Sequence, residues 1–136
     1  MLKWYEAHCF NKSIVEVILV CREAVLHYAK RKYDTEPDYP WAKFSNYAVL
    51  RHKKNGKWFG LLMDVDKEKL NIEGEGAVDV LNVKCDPELA SILRKENGIL
   101  PAYHMNKEHW ISILLDGSVS EGEIFQLLDT SYHLTK

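Results

Sequence analysis

The side chains best able to do chemistry lie in one run, Tyr103-His104-Met105-Asn106-Lys107-Glu108-His109-Trp110. Asn106, Lys107 and His109 supply hydrogen-bond donors there, and Tyr103 and Trp110 supply ring faces on which a base or sugar could stack. Two readings of the run stand side by side. It is a binding loop, or it is a structural loop whose rings seal a sheet edge and whose polar groups satisfy loop backbone. A small-ligand or enzymatic reading would centre on Lys84, His104, Asn106 and His109. The other histidines, His8, His27, His52 and His133, are scattered. The step from His104 to His109 does not bring two side chains onto one helix face, and no cysteine is near, so no metal site is expected. The glycine-rich nucleotide loops, HExxH and GxSxG are all absent. The expectation is a chain with no catalytic residue, no metal and no cofactor. A nucleophilic pairing of Cys85 with His104 or His109 has nothing specific in its favour.

A second candidate is electrostatic. Residues 42–60 carry Lys43, Arg51, Lys53, Lys54 and Lys57 with no acid, whereas residues 61–80 carry six acids against Lys67 and Lys69. The formal net charge is −2, so phosphate binding would rest on this local segment and not on the total. The plainer alternative is a solvated hairpin tip. The cysteines, Cys9, Cys21 and Cys85, are odd in number and widely spaced, which fits neither a disulfide framework nor a zinc module. Cys21 and Cys85 read as buried, inert thiols.

These candidates need elements to hold them. A chain of 136 residues with 46% hydrophobic and 28% charged residues reads as one soluble globular domain, which excludes disorder, collagen and coiled coil. No apolar run reaches membrane-spanning length, and the first ten residues lack a signal-peptide pattern, so the expected compartment is the cytoplasm with no membrane partner. Residues 1–11 read as a lead-in segment. Ser13 and Glu16 fit a capping box for a helix to about Lys32, and Pro37 and Pro40 make 34–40 a loop. Asn55-Gly56 predicts a two-residue type I′ turn in a hairpin over 47–65. That turn pairs Lys54 with Lys57 and Leu50 with Leu61. Ala48, Leu50, His52, Phe59, Leu61 and Met63 then face the core, and Tyr47, Val49, Arg51, Lys53, Trp58, Gly60 and Leu62 face away. A strand over 77–84 precedes a helix that opens at Asp86-Pro87 and runs to about Asn97, with Leu89, Ile92 and Leu93 as its buried stripe. A strand over 110–115 points Ile111, Ile113 and Leu115 inward. The last helix starts near Ser120, with Glu123 completing a capping box and Ile124, Leu127, Leu128 and Tyr132 packing inward. The order implies an α+β fold with helices on an antiparallel sheet.

Four segments resemble the MmcQ/YjbR family. They are Tyr39-Pro40-Trp41 with Lys43, Val83-Lys84-Cys85-Asp86-Pro87, the long run from Pro101 through Trp110 to Ser112, and Leu128-Asp129-Thr130-Ser131-Tyr132. The likeness spans roughly residues 12–134, so 12–136 is taken as a single MmcQ/YjbR-like domain. The resemblance implies a two-layer α-β(3)-α-β(2)-α fold and a fifth strand near Leu100 to Met105, turning near Asn106-Lys107. It also implies a double-wing arrangement that is commonly labelled DNA-binding, on a fold shared with secretion chaperones. A shared fold does not establish a shared function.

Two partner readings follow. In the first, a non-catalytic module binds DNA weakly and without sequence preference through two hairpin wings. The residues would be Arg51, Lys53, Lys54, Lys57 and Trp58 on one wing and Asn106, Lys107 and His109 on the other, with Trp58 and Trp110 stacking. In the second, Tyr47, Val49, Trp58 and Leu62 form an aromatic anchor for a protein partner or a second copy of the chain, with no nucleic-acid role.

Overall fold

The computed structural model describes residues 21–136. Within them the order is α1 (Arg22–Tyr33), β1 (Ala48–Arg51), β2 (Trp58–Asp66), β3 (Ala77–Lys84), α2 (Pro87–Leu93), β4 (Ile99–Pro101), β5 (Trp110–Leu114) and α3 (Glu121–Thr135). The five strands form one antiparallel sheet in the order β1-β2-β3-β5-β4, so the α+β expectation holds. The fifth strand is shorter than expected, and residues 102–109 form a long loop instead of a tight turn at Asn106-Lys107. Ser13 and Glu16 lie outside the described residues. Cys21 is disulfide-bonded, which corrects its reading as an inert thiol.

The helices cover one sheet face. Ala24, Val25, Ala90, Leu93, Ile124 and Leu128 close over Leu50, Phe59, Leu62, Leu81, Val83, Ile111 and Ile113. Ser120 caps α3 as its spacing to Glu123 predicts, accepting from the Glu123 N–H at 3.3 Å. In α2 the register differs from expectation. Ala90 and Leu93 are buried while Leu89 and Ile92 are exposed, and the helix ends at Leu93.

The opposite face is also covered, but by loops. Val49, Leu61, Met63, Val65, Val78, Val80 and Leu114 form a second apolar layer, roofed by Trp41, Tyr47, Trp58, Ile72, Tyr103 and Met105. Segment 34–40 contributes at the edge, where Asp38 exchanges two backbone hydrogen bonds with Val49 at 2.9 and 2.8 Å. That bridge covers the exposed flank of β1.

The hairpin corrects two expectations at once. Leu50 pairs with Gly60 and Arg51 with Trp58, so Phe59 is an extra residue bulged out of the ladder. The alternation breaks there. Phe59, Gly60 and Leu62 all lie against the helices, while Leu61 and Met63 turn to the second layer. A Cβ at Gly60 would meet Leu50 Cδ1 at 3.1 Å, so only glycine fits this close approach without a shift. The turn is not type I′. The Gly56 N–H donates to the His52 carbonyl and the His52 N–H to the Lys57 carbonyl, each at 2.9 Å, which closes a four-residue loop. In the tip only Gly56 has positive φ, at 73°. A type I′ turn needs it at both central residues.

Candidate nucleic-acid interface

The register decides where the two hairpins point. Gly60 faces Val83 and Lys84 faces Trp110, so the 52–57 tip, the end of β3 and the 102–109 loop all lie at one end of the sheet. Only β3 separates β2 from β5, two strand spacings or about 10 Å. The half-buried Lys84 stands between the two tips.

The 52–57 tip is anchored at His52 and Asn55 and open at its lysines. His52 is buried, its Nε2 lies 2.7 Å from the Thr135 hydroxyl, and its ring packs on Phe59 and Tyr132. The Thr135 hydroxyl also lies 2.8 Å from the Ser131 carbonyl, within the last turn of α3. Burial holds the His52 pKa below its ordinary value. The histidine is a core residue. Asn55 ties the tip to α3, its Nδ2 donating to the Thr135 carbonyl at 3.2 Å and its Oδ1 accepting from the Lys57 N–H at 2.9 Å. Lys53, Lys54 and Lys57 are exposed. Lys53 bridges Asp34 at 3.2 Å, both groups largely in solvent, a pair that contributes little. Lys30 and then Lys53 hold the Asp34 carboxyl below its ordinary range.

Arg51 and Trp58 do not join that surface. The Arg51 guanidinium lies back onto Asp38 at 2.6 Å, and the Trp58 ring packs edge-on against Trp41 at 5.7 Å within the second layer. The proposed aromatic anchor fails for a related reason. Val49 and Leu62 are fully buried, on opposite faces of the sheet, and Tyr47 lies half-buried beneath Trp41.

The 102–109 loop is knitted to the domain almost residue by residue. Two buried side chains clamp Tyr103, whose N–H donates to Ser112 Oγ and whose carbonyl accepts from Asn82 Nδ2, both at 2.9 Å. Ser112 Oγ in turn donates to Asn82 Oδ1 at 2.5 Å, across a β3–β5 pair. His104 then takes a left-handed conformation, φ 60°. Asn106 Oδ1 accepts from the Glu108 and His109 N–H groups at 2.8 and 3.3 Å, and its carbonyl accepts from the Trp110 N–H at 3.0 Å. Lys107 Nζ donates to the Ala102 carbonyl at 2.9 Å, and Arg94 donates to the Lys107 carbonyl at 2.6 Å. His109 is exposed beside Glu108, and its carbonyl accepts from the Cys85 N–H at 2.7 Å. The Cys85 thiol is buried, and burial followed by the nearby Asp86 pushes its pKa up, away from thiolate.

Of the eight residues read from the sequence, six thus remain on the surface: Lys53, Lys54, Lys57, Asn106, Lys107 and His109. Asn106 is exposed but its carboxamide oxygen is spent on the loop. The sequence reading missed Asn82 and Ser131. Ser131 Oγ donates to the Phe59 carbonyl at 2.6 Å and accepts from the Lys84 N–H at 2.8 Å, satisfying backbone that the bulge leaves unpaired. The available signal was a polar side chain inside an apolar strand or stripe: Asn82 among Val80, Leu81 and Val83, and Ser131 four residues after Leu127.

The chain is similar to proteins of several bacteria. It is 53% identical over 118 residues to the uncharacterized protein YyaQ of Bacillus subtilis (strain 168), covering 87% of this chain and all of that one. A crystal structure of a Pseudomonas syringae protein, 52% identical, superposes with a TM-score of 0.84 over 85% of this chain and 99% of that one. A stretch of 80 residues is 31% identical to part of the glycine–tRNA ligase of Deinococcus radiodurans, 52% of this chain but 16% of that protein. Among the described residues no helix is long and apolar enough to cross a membrane. The model of the YjbR family matches residues 30–134, and with that match and those relatives the chain belongs to the YjbR family.

Proposed function

We propose that this chain is a non-catalytic nucleic-acid-binding module that receives a sugar–phosphate backbone between the tips of its two edge hairpins. The observation that supports the reading is the shared end of the sheet, where Lys53, Lys54 and Lys57 on one tip and Lys107 and His109 on the other flank Lys84. Lysines in such an array neutralise phosphates without reading base edges, so binding is sequence-tolerant. Arg51 and Trp58 drop out because Asp38 and Trp41 occupy them. Binding by phosphate contacts alone gives a dissociation constant of roughly 10⁻⁴ to 10⁻⁶ M at physiological salt. The similar stretch in a glycine–tRNA ligase favours including structured RNA beside duplex DNA.

The test is an anisotropy titration of labelled duplex DNA and of a labelled RNA hairpin. With Lys53, Lys54 and Lys57 as contacts, the log–log salt slope on duplex is no steeper than about −2.7, at about −0.9 per phosphate. The double variant Lys54→Glu, Lys57→Glu abolishes binding with its melting temperature unchanged. Absence of binding to either nucleic acid at low salt, with protein in the tens of micromolar (about 10⁻⁵ M, inside the non-specific range), overturns the proposal.

A further inference from the structure

Two of the family-bearing segments also meet away from the 52–57 tip. Lys43, from the Tyr39-Pro40-Trp41 segment, and Tyr103, from the long run, line one cavity of about 220 Å³ with Phe44, Tyr47, Asp64 and Lys69. Its walls are held in place. The Tyr47 N–H donates to the Phe44 carbonyl at 2.9 Å and the Phe44 N–H to the Trp41 carbonyl at 3.2 Å, while Asn82 and Ser112 clamp Tyr103 from beneath. Asn46 Nδ2 donates to Asp64 Oδ2 at 3.3 Å, fixing that carboxylate. The Phe44 ring stacks on Tyr47 at 4.7 Å and is still 50% exposed, an apolar surface left uncovered at the mouth of a polar cavity. Burial, with Tyr103 and Asp64 close by, raises the Tyr47 pKa and keeps its phenol a donor.

The lining has both signs of charge. Lys43 and Lys69 are suited to a carboxylate, and Asp64 and Asp66 to an ammonium. A purely anionic or purely cationic ligand would meet a like charge, whereas a zwitterion satisfies both sets. The volume is about seven water volumes at about 30 Å³ each, and lies below the roughly 300 Å³ where drug-sized pockets begin. That suits a molecule the size of a free amino acid. We infer that the cavity binds a free α-amino acid with an apolar side chain, its carboxylate toward Lys43 and Lys69, its ammonium toward Asp64 and Asp66, and its side chain on Phe44.

The test follows backbone amide shifts of the labelled protein as L-leucine, L-phenylalanine, glycine and inorganic phosphate are added separately. Leucine or phenylalanine shifts the amides of Phe44, Tyr47, Asp64 and Tyr103, with a dissociation constant of about 1 mM or tighter, and glycine binds more weakly. Leucine amide and N-acetyl-leucine each lack one charge and bind at least about fivefold more weakly. Phe44→Ala and Lys69→Ala, both at exposed positions, reduce leucine affinity about fivefold, and an unchanged melting temperature shows that they fold. The inference is overturned if no amino acid shifts these amides at about 10 mM, ten times that constant. It is equally overturned if phosphate shifts them as strongly as leucine does. Neither result bears on the 52–57 tip and its three lysines, which lie at the far end of β2 from Asp64.

Discussion

The two hairpin tips sit at one end of one sheet, yet they are built on opposite principles. The 52–57 tip has few internal contacts. It is tied through His52 and Asn55 to the last turn of α3, and Lys53, Lys54 and Lys57 around these ties are left to solvent. The 102–109 loop spends nearly every polar group on itself: Asn106 on two backbone N–H groups, Lys107 on the Ala102 carbonyl, Tyr103 on a buried Asn–Ser pair. The segment with the most distinctive sequence is therefore largely a scaffold, and the segment without a diagnostic motif presents most of the free charge. Specific spacing can record the geometry of a backbone that must be satisfied as readily as it records chemistry.

The largest expected effect tests the scaffold side of that contrast. Asn82→Ala leaves the Tyr103 carbonyl and the Ser112 hydroxyl without their buried partner, at about 1–3 kcal/mol for each unsatisfied group. Urea unfolding should show a loss of about 3 kcal/mol, and a loss below about 0.5 kcal/mol, the range of a neutral surface change, would mean the clamp is not what holds the loop. Ser131→Ala should follow closely. It strands the Phe59 carbonyl and the Lys84 N–H beside the bulge and should cost about 2 kcal/mol by the same denaturant measurement.

Next in size is an acid-sensitive contact between α1 and α3. The Asp129 carboxylate accepts from Lys32 at 2.8 Å and from the hydroxyls of Tyr28 and Tyr33. Burial raises its pKa, but the hydrogen bonds from Lys32, Tyr33 and Tyr28 outweigh that, and the net position is below the ordinary value of 3.8. A carboxyl lowered on folding stabilises fully above its unfolded value and loses that contribution as pH falls through the folded one. Asp129→Asn should cost about 1 kcal/mol at neutral pH and flatten the acid limb of a stability–pH curve below pH 4. An unaltered acid limb would remove Asp129 from the account.

The smaller effects test the open tip. Gly56→Ala meets no atom within 4 Å, so its cost is the left-handed backbone alone, about 1 kcal/mol in chemical denaturation. Lys53→Ala should leave the melting temperature unchanged, because its pair with Asp34 is exposed. The same variant should weaken nucleic-acid binding measurably, and equal affinity for the variant and the parent chain would assign the tip no phosphate contact at Lys53.

Much of the fold was legible in the chain itself. Alternation placed Ile111, Ile113 and Leu115 against the helices, the serine–glutamate spacing placed the start of α3, and the glycine at 56 marked a turn. Those signals are local: they depend on one residue's backbone preference or on a period of two or 3.6. The failures have two causes. The type I′ turn and its pairings assumed a two-residue loop, and the four-residue loop set a different register at the tip. The inward Leu61 and Met63 assumed an unbroken ladder, and one bulged residue, Phe59, shifted the register again and exchanged the faces beyond it. The bulge persists because Ser131, far along the chain on α3, satisfies the carbonyl it frees.

Sequence alone settled the class of fold, the family-bearing segments and the local basic charge, because each is a property of residue types and short spacings. Tertiary structure alone decided which charges are free. Arg51 is held by Asp38 from a loop thirteen residues earlier, Trp58 by Trp41 and Lys107 by a carbonyl of its own loop, while Lys54 and Lys57 stay exposed. Nothing in the type or spacing of a lysine or arginine tells which partner the fold will bring to it, since an ion pair or ring contact depends on distance in space and not along the chain.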